Sequence, residues 1–254
     1  MPIIFDSVLE LTYDAGAVNN ATFSPDGPAV HIPLYIKYKI DVPNNLLRPP
    51  FRILKTYFLF QRLFIPAQQC LITPLNTPDW AAISITPTNP FIEISNQFKT
   101  STAILSIAVH WGAPAQAYNL HILAETFQLG RISANSAELQ ILFCPQYIPL
   151  LEISCDQPYF TAPPNQTTYN TLEITNLGNA ETLVTINVTQ IPGWSLFTDP
   201  TQLMIDVGNT KPCTVIIRPP ADFHEEQAIT LSFTPSHLGQ VGTPVSIVLH
   251  AHYP

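Results

Sequence analysis

Apolar and polar residues alternate along most of the chain, in short runs closed by Pro, Asn, Asp or Gly. Leu9-Glu10-Leu11-Thr12-Tyr13 alternates, as do residues 32–40 (IPLYIKYKI), 104–109 and 120–124. A period of two places every second side chain on one face of a strand. In the second half the strand-like runs are 150–155, 168–176, 182–190, 202–207, 213–218, 228–233 and 244–251. Seven short strands in about 100 residues, separated by turns such as Asn176-Leu177-Gly178-Asn179, predict an immunoglobulin-like sandwich.

The first half repeats part of this pattern in the same order. Pro78-Asp79-Trp80 matches Pro192-Gly193-Trp194, and a strand follows each Trp. Thr86-Pro87 matches Asp199-Pro200, and Ile92-Glu93-Ile94-Ser95 matches Ile205-Asp206-Val207-Gly208. β-branched strands then follow at 102–109 and 213–218. A collinear repeat of this kind predicts two copies of one architecture. The expected fold class is all-β, two tandem immunoglobulin-like β-sandwich domains. The expected boundary lies near Tyr147-Ile148-Pro149: a first domain over 1–148, carrying an insertion around 41–77, and a second over 149–254.

Composition agrees with short strands and stiff turns. The chain holds 26 Pro and only 9 Gly. Proline breaks helix interiors and cannot donate to a ladder, so many prolines argue against long helices. Charged residues are 11% of the chain against about 25% in ordinary soluble proteins, which leaves a neutral surface rich in Thr, Ser, Asn and Gln. Such a surface suits packing against protein partners. The formal net charge of −8 opposes generic nucleic-acid binding. No uncharged apolar run reaches the about 18 residues of a transmembrane span. The start, Met1-Pro2-Ile3-Ile4-Phe5-Asp6, lacks a basic region followed by a long apolar stretch, so a mature or trimmed start, or synthesis in the cytosol, is expected.

The segments ITNLGNAETLVTINV, PGW and DVGNTKPCTVIIRPPADF in the second half resemble the NEW3-type domains, immunoglobulin-like modules of bacterial and archaeal surface proteins and carbohydrate-active enzymes. The same segments are similar to the ASH/MSP-like sandwiches of eukaryotic scaffolds. The resemblance covers about 168–220 well and 77–110 loosely. It implies strand order and turns; neither family carries a catalytic set to transfer.

Motifs for chemistry are sparse. The sequence has no G-x-G-x-x-G, no Walker A, no G-x-S-x-G and no H-E-x-x-H. No cofactor and no metal is expected. His250 and His252 share a strand face, and Asp222, Glu225 and Glu226 lie in a charged loop; solvated positions are the expectation for both groups. Cys70, Cys144, Cys155 and Cys213 include no C-x-x-C. They read either as four separate buried thiols or as within-domain disulfides, Cys70–Cys144 and Cys155–Cys213. Trp80 and Trp194 are expected to bury a ring at equivalent strand edges, or, if exposed, to stack on a sugar. Asn20, Asn165 and Asn187 fit the N-glycosylation pattern, which chance explains in so Asn- and Thr-rich a chain.

Arg48, Arg52, Lys55 and Arg62 hold four of the ten cations in one stretch. As a helix, 48–66 would present them as a basic stripe opposite Leu54, Phe58, Phe60 and Phe64, fit to dock on an acidic partner or a membrane surface. As a strand, Ile53 to Ile65 would continue the sandwich, which Tyr57, Phe58, Phe60 and Phe64 favour.

The expectation is therefore a non-catalytic structural or interaction protein of a cell-surface, extracellular or virion/tail-like assembly, whose partners are copies of itself or other subunits. The alternative is a carbohydrate-binding or adhesion module of a larger secreted protein. A hydrolase would need a pocket uniting a nucleophile, a carboxylate and one of His31, His110 or His121.

Overall fold

The computed structural model describes residues 5–41 and 67–254, so the basic stretch Arg48, Arg52, Lys55 and Arg62 lies outside the described residues. The chain is all-β, and it divides into two compact units, Met1–Ala113 with Ala117–Gln146, and Pro114–Gln116 with Tyr147–Pro254.

The first unit contains β1 (Asp6–Tyr13), a single turn of helix α1 (Ala15–Asn19), β2 (Val30–Asp41), β3 (Ala67–Pro74), β4 (Ala81–Thr86), β5 (Phe91–Glu93), β6 (Lys99–Val109), β7 (Tyr118–Thr126) and β8 (Asn135–Phe143). One sheet has the order β1-β2-β6-β4, the other β5-β3-β7-β8, with every named pair antiparallel. Asp14 caps α1, its carboxylate accepting from the Gly16 N–H at 2.9 Å. β3 falls inside the expected insertion, yet it is an interior strand of its sheet. The segment hides there because Gln68 is buried, and a buried Gln interrupts the apolar alternation.

The second unit contains β9 (Leu151–Cys155), β10 (Tyr159–Thr161), β11 (Thr168–Asn176), β12 (Thr182–Val188), β13 (Ser195–Asp199), β14 (Gln202–Ile205), β15 (Thr210–Arg218), β16 (Gln227–His237), β17 (Gln240–Val241) and β18 (Val245–His252). Its sheets are β13-β15-β11-β9 and β10-β18-β16-β12-β14, with β17 hairpinned onto β16. β10 pairs with β18 in parallel; the other pairs are antiparallel.

The two units share one strand order. β1, β2, β6 and β4 correspond to β9, β11, β15 and β13; β5, β3, β7 and β8 correspond to β14, β12, β16 and β18. This is the ABED sheet facing CFG of an immunoglobulin sandwich, with one further strand at the C edge. The repeat places its matched prolines alike: Thr86-Pro87 and Asp199-Pro200 are both cis, each between a strand of one sheet and the next strand of the other.

Alternation fills the cores. In the first unit Ile32, Leu34, Ile36, Tyr38 and Ile40 of β2 face inward with Leu105 and Ile107, against Ile72, Leu120, Ile122 and Ile141. In the second unit Leu172, Ile174, Val215 and Ile217 meet Val184, Ile186, Leu231 and Phe233. Each such side chain stabilises the fold by roughly 1.5–3 kcal/mol relative to exposure.

The four cysteines are free, which corrects the disulfide alternative; Cys70 and Cys213 are buried as expected of separate thiols, whereas Cys144 is exposed and Cys155 half-buried. Cys155 and Cys213 lie opposite the same residue, Leu172, but on β9 and β15, on either side of β11. Two strand spacings separate their Cα atoms by about 10 Å, beyond the ~7 Å reach of a disulfide. Cys70 stands opposite Thr126 at one end of β7, whereas Cys144 follows Phe143, which stands opposite Tyr118 at the other end, about 25 Å away.

Candidate interaction surface

The side chains that point out of the sheets hold the candidate site. In β13, β15 and β11 the inward residues are Leu196, Val215, Ile217, Asn170 and Leu172. Their neighbours Phe197, Ile216 and Tyr169 therefore point outward. The register brings these three level: Ile216 lies opposite Phe197 on one side and Tyr169 on the other. The result is a row across three adjacent strands, with Tyr169 67% and Phe197 62% exposed. The two rings stand two strand spacings apart, about 10 Å.

Polar residues frame the row. Arg218, one level beyond Ile216 on the same face, donates through Nε and Nη2 to the Asn165 side-chain oxygen at 3.2 and 2.6 Å. The level on the other side is Asp199, Thr214 and Thr171. An aromatic buries about 150–250 Å² when covered, so two rings about two-thirds exposed plus the isoleucine offer on the order of 300 Å² of apolar surface. That is the size of the largest, and often functional, patch on an ordinary monomer. Sequence parity alone puts each of the three outward. The register that lines them up is not written in any one strand, and so the row escaped sequence reading.

The residues singled out from sequence sit elsewhere. Trp80 meets Tyr118 and Phe143 edge-on at 5.3 and 6.0 Å, and Trp194 meets Phe223 edge-on at 4.8 Å. Both rings are half-buried and packed on the cores. That is the geometry of a cap on a sandwich, not of an open platform. Tyr169 and Phe197 are exposed aromatics that the register sets level on one sheet face, where a sugar could stack.

His250 and His252 share a face of β18, where Tyr159 of β10 stacks on both rings at 4.7 and 5.8 Å. The Nδ1 of His250 lies 2.8 Å from Glu226 Oε1, and that of His252 lies 3.9 Å from Oε2. Glu226 is thereby turned to the imidazoles rather than to Asp222 and Glu225. Among the described residues no group of three His, Cys, Asp or Glu side chains could hold a metal ion. His121 pairs with Glu138 across β7 and β8 on an exposed face, and His110 is exposed. His31 Nδ1 is 2.9 Å from Ser106 Oγ, a base beside a hydroxyl. The pair stands on the outer face of β2 and β6, where ladder bonds already occupy the backbone N–H groups that would stabilise an oxyanion.

The thiols are quiet. Burial pushes Cys70 up to about 11, with a smaller opposing contribution from a backbone hydrogen bond at Glu125 and a further upward one from the Glu125 charge. Cys213 is pushed up to about 11 by burial and by the nearby Asp199 charge. Burial also raises Cys144 and Cys155. A thiolate is the reactive form, so burial keeps the Cys70 and Cys213 sulfurs protonated and unreactive at neutral pH.

No helix among the described residues is long and apolar enough to cross a membrane. No protein-family model matches the chain, and no curated protein does. Among solved structures, a protein of unknown function from Porphyromonas gingivalis W83 is 12% identical over 98% of this chain and 99% of that one, with a TM-score of 0.33. Domains 4 and 5 of the S-layer protein SbsC are 8% identical over 70% of this chain and 81% of that one, at a TM-score of 0.28. The chaperone–tip adhesion subunit complex of the Csu pili of Acinetobacter baumannii is 17% identical over 42% of this chain and 57% of that one, at a TM-score of 0.27. Likenesses this distant assign no role to the chain.

Proposed function

We propose that this chain is a non-catalytic structural and interaction protein, an immunoglobulin-like contact module of a surface, extracellular or particle assembly. The observation that carries the reading is the outward row Phe197–Ile216–Tyr169 on an otherwise Thr- and Ser-rich sheet face. Covering about 300 Å² of apolar surface is worth roughly 7 kcal/mol at 25 cal/mol per Å². Association costs about 4–15 kcal/mol, so a single such contact is weak by itself. Weak contacts of this size become firm when many copies engage at once, which is the situation in an assembly.

Light scattering over a concentration series tests this directly. The chain is expected to associate as its concentration rises, and the double variant Tyr169→Ser/Phe197→Ser is expected to stay monomeric with an unchanged fold. A strictly monomeric chain that also retains no partner through this face overturns the reading.

The spacing of the two rings supports a second reading, a module that stacks on a polysaccharide. A glycan array bound by the chain and not by the double variant favours it. A silent array removes it.

A further inference from the structure

Because the two units share a strand order, positions can be compared pair by pair. In the first unit Ile72 of β3 donates its N–H to Thr88 O at 2.9 Å, and Leu75 turns the other way, donating to His121 O at 2.9 Å. In the second unit Ile186 of β12 donates to Thr201 O at 2.9 Å, and Thr189 turns back to Thr230 O at 2.9 Å. Backbone groups alternate sides along a strand, so the residue two beyond each isoleucine aims at the open edge. In the first unit that residue is Pro74, which has no N–H to offer; in the second it is Val188. Proline at an edge blocks further pairing. One unit has closed this edge, and the other has left it open.

β13 faces the same opening. The Gln190 side-chain N–H donates to Leu196 O at 3.3 Å, which fixes the sense of alternation: Leu196 and Thr198 aim their backbone groups away from β15. Among the described residues nothing pairs with Leu196 N–H or with the N–H and C=O of Thr198. The Gln190 amide thus occupies the place that a peptide N–H would take. Between β12 and β13 lies a groove of about 250 Å³, lined by Ile186, Val188, Leu196 and Phe197 together with the polar Asn187, Gln190, Thr198 and Thr201, and carrying no charged side chain. The crossover from Asp199 to Gln202, which carries the chain from one sheet to the other, closes one end.

We propose that this groove binds an extended, uncharged peptide segment of a partner protein, added as a strand along the free edge of β13. The chemistry of the edge selects the ligand class. Donors and acceptors at strand spacing match a polypeptide backbone, and an uncharged lining of mixed apolar and polar side chains takes every second side chain of a Val- or Thr-rich segment. The remaining side chains of the added strand would emerge beside Phe197 and continue the aromatic row. The inference rests on the reading of the chain as an interaction module and names the kind of partner for it.

The test uses the whole chain and a fluorescein-labelled, acetylated heptapeptide of alternating Thr and Val. Anisotropy titration is expected to saturate, and amide exchange across 186–198 is expected to slow when peptide is bound. Thr198→Pro removes one outward N–H of β13 and is expected to weaken binding about tenfold, the effect of one lost hydrogen bond. Tyr169→Ser is expected to leave peptide binding intact. Peptide binding that persists in a chain showing no association through the aromatic row separates this inference from the failure of the functional reading. The proposal is overturned by a titration that does not saturate, or by equal binding of a peptide N-methylated on its edge-facing residues. Unchanged affinity in a folded Thr198→Pro variant also overturns it. If that variant does not fold, the unaltered chain decides, and no added protection over 186–198 at saturating peptide refutes the proposal. Protection that rises with protein concentration alone replaces the peptide with a second copy and refutes it equally.

Discussion

Asn176 is a buried polar residue on which several backbone groups of the second unit depend. It is fully buried at the end of β11. Its side-chain N–H groups donate to Ala180 O at 2.8 Å and Ile205 O at 2.9 Å, and its side-chain oxygen accepts from the Gly178 N–H at 2.9 Å. Its own N–H donates to Asn209 O, and its C=O accepts from Gly208. One side chain thus fastens the turn between β11 and β12 to the end of β14. Asn176→Ala removes three hydrogen bonds and leaves the Gly178 N–H without its acceptor, while Ala180 O keeps the Thr182 hydroxyl at 2.9 Å. At about 1 kcal/mol for each hydrogen bond lost, with a further ~1–2 kcal/mol for the N–H orphaned in this buried turn, the expected loss is about 3–5 kcal/mol. A domain has about 5–15 kcal/mol in all. Urea denaturation followed by circular dichroism reads this out. With a slope of about 1–2 kcal/mol per molar, the midpoint of the second unit falls by about 2–3 M. A shift under about 0.5 M would mean that water replaces the amide at little cost, and that the network described here does not hold the turn.

Other consequences are as readily checked. Gly178→Ala is expected to destabilise by about 2–4 kcal/mol, because a Cβ there meets Ile148 O at 2.5 Å; a variant with wild-type thermal midpoint refutes that packing. Leu238 sits in the left-handed region at φ 45° beside Gly239 at 82°, at the tip of the β16–β17 hairpin and 89% exposed. Leu238→Asn is expected to stabilise by about 0.5–1 kcal/mol, seen as a rise in Tm. In a thiol titration at pH 8, Cys144 is expected to react in the native chain, while Cys70 and Cys213, pushed up to about 11, stay silent until urea is added. These two raised thiols hold their protons in the folded state after the unfolded chain has begun to lose them. Their contribution to stability is therefore present below about pH 9 and lost as pH rises toward 11, and the urea midpoint is expected to fall over that window.

Parity was legible in the sequence, and register was not. The run 32–40 reads directly as a strand with Ile32, Leu34 and Ile36 inward, because a long strand with one buried face has no other solution. β5, β10 and β17 have three residues or fewer and carry no pattern to read; neighbouring strands place them. β3 was hidden by Gln68, whose side chain donates to Phe127 O at 3.2 Å inside the sheet edge, so that a polar letter stands at a buried position. The cysteine pairs looked natural by proximity along the chain, but only strand order reveals that β11 stands between Cys155 and Cys213. The same gap concealed the candidate site. Tyr169, Ile216 and Phe197 are each unremarked surface residues until three strands are aligned.

The parallel pairing of β10 with β18 bears on how the chain is made. Tyr159, Phe160 and Thr161 have as their partners His250, Ala251 and His252. A ribosome delivers the early strand long before the late one, so β10 must wait, with Tyr159 and its neighbours unpaired, until nearly all of the described chain has emerged. β16 waits likewise along its β18 side. Translation pauses and C-terminal truncations should therefore fall hardest on the second unit, since a chain cut before Val245 strips a strand from between two others. The first unit, with β8 already synthesised by Phe143, can complete its sheets while the second is still being assembled.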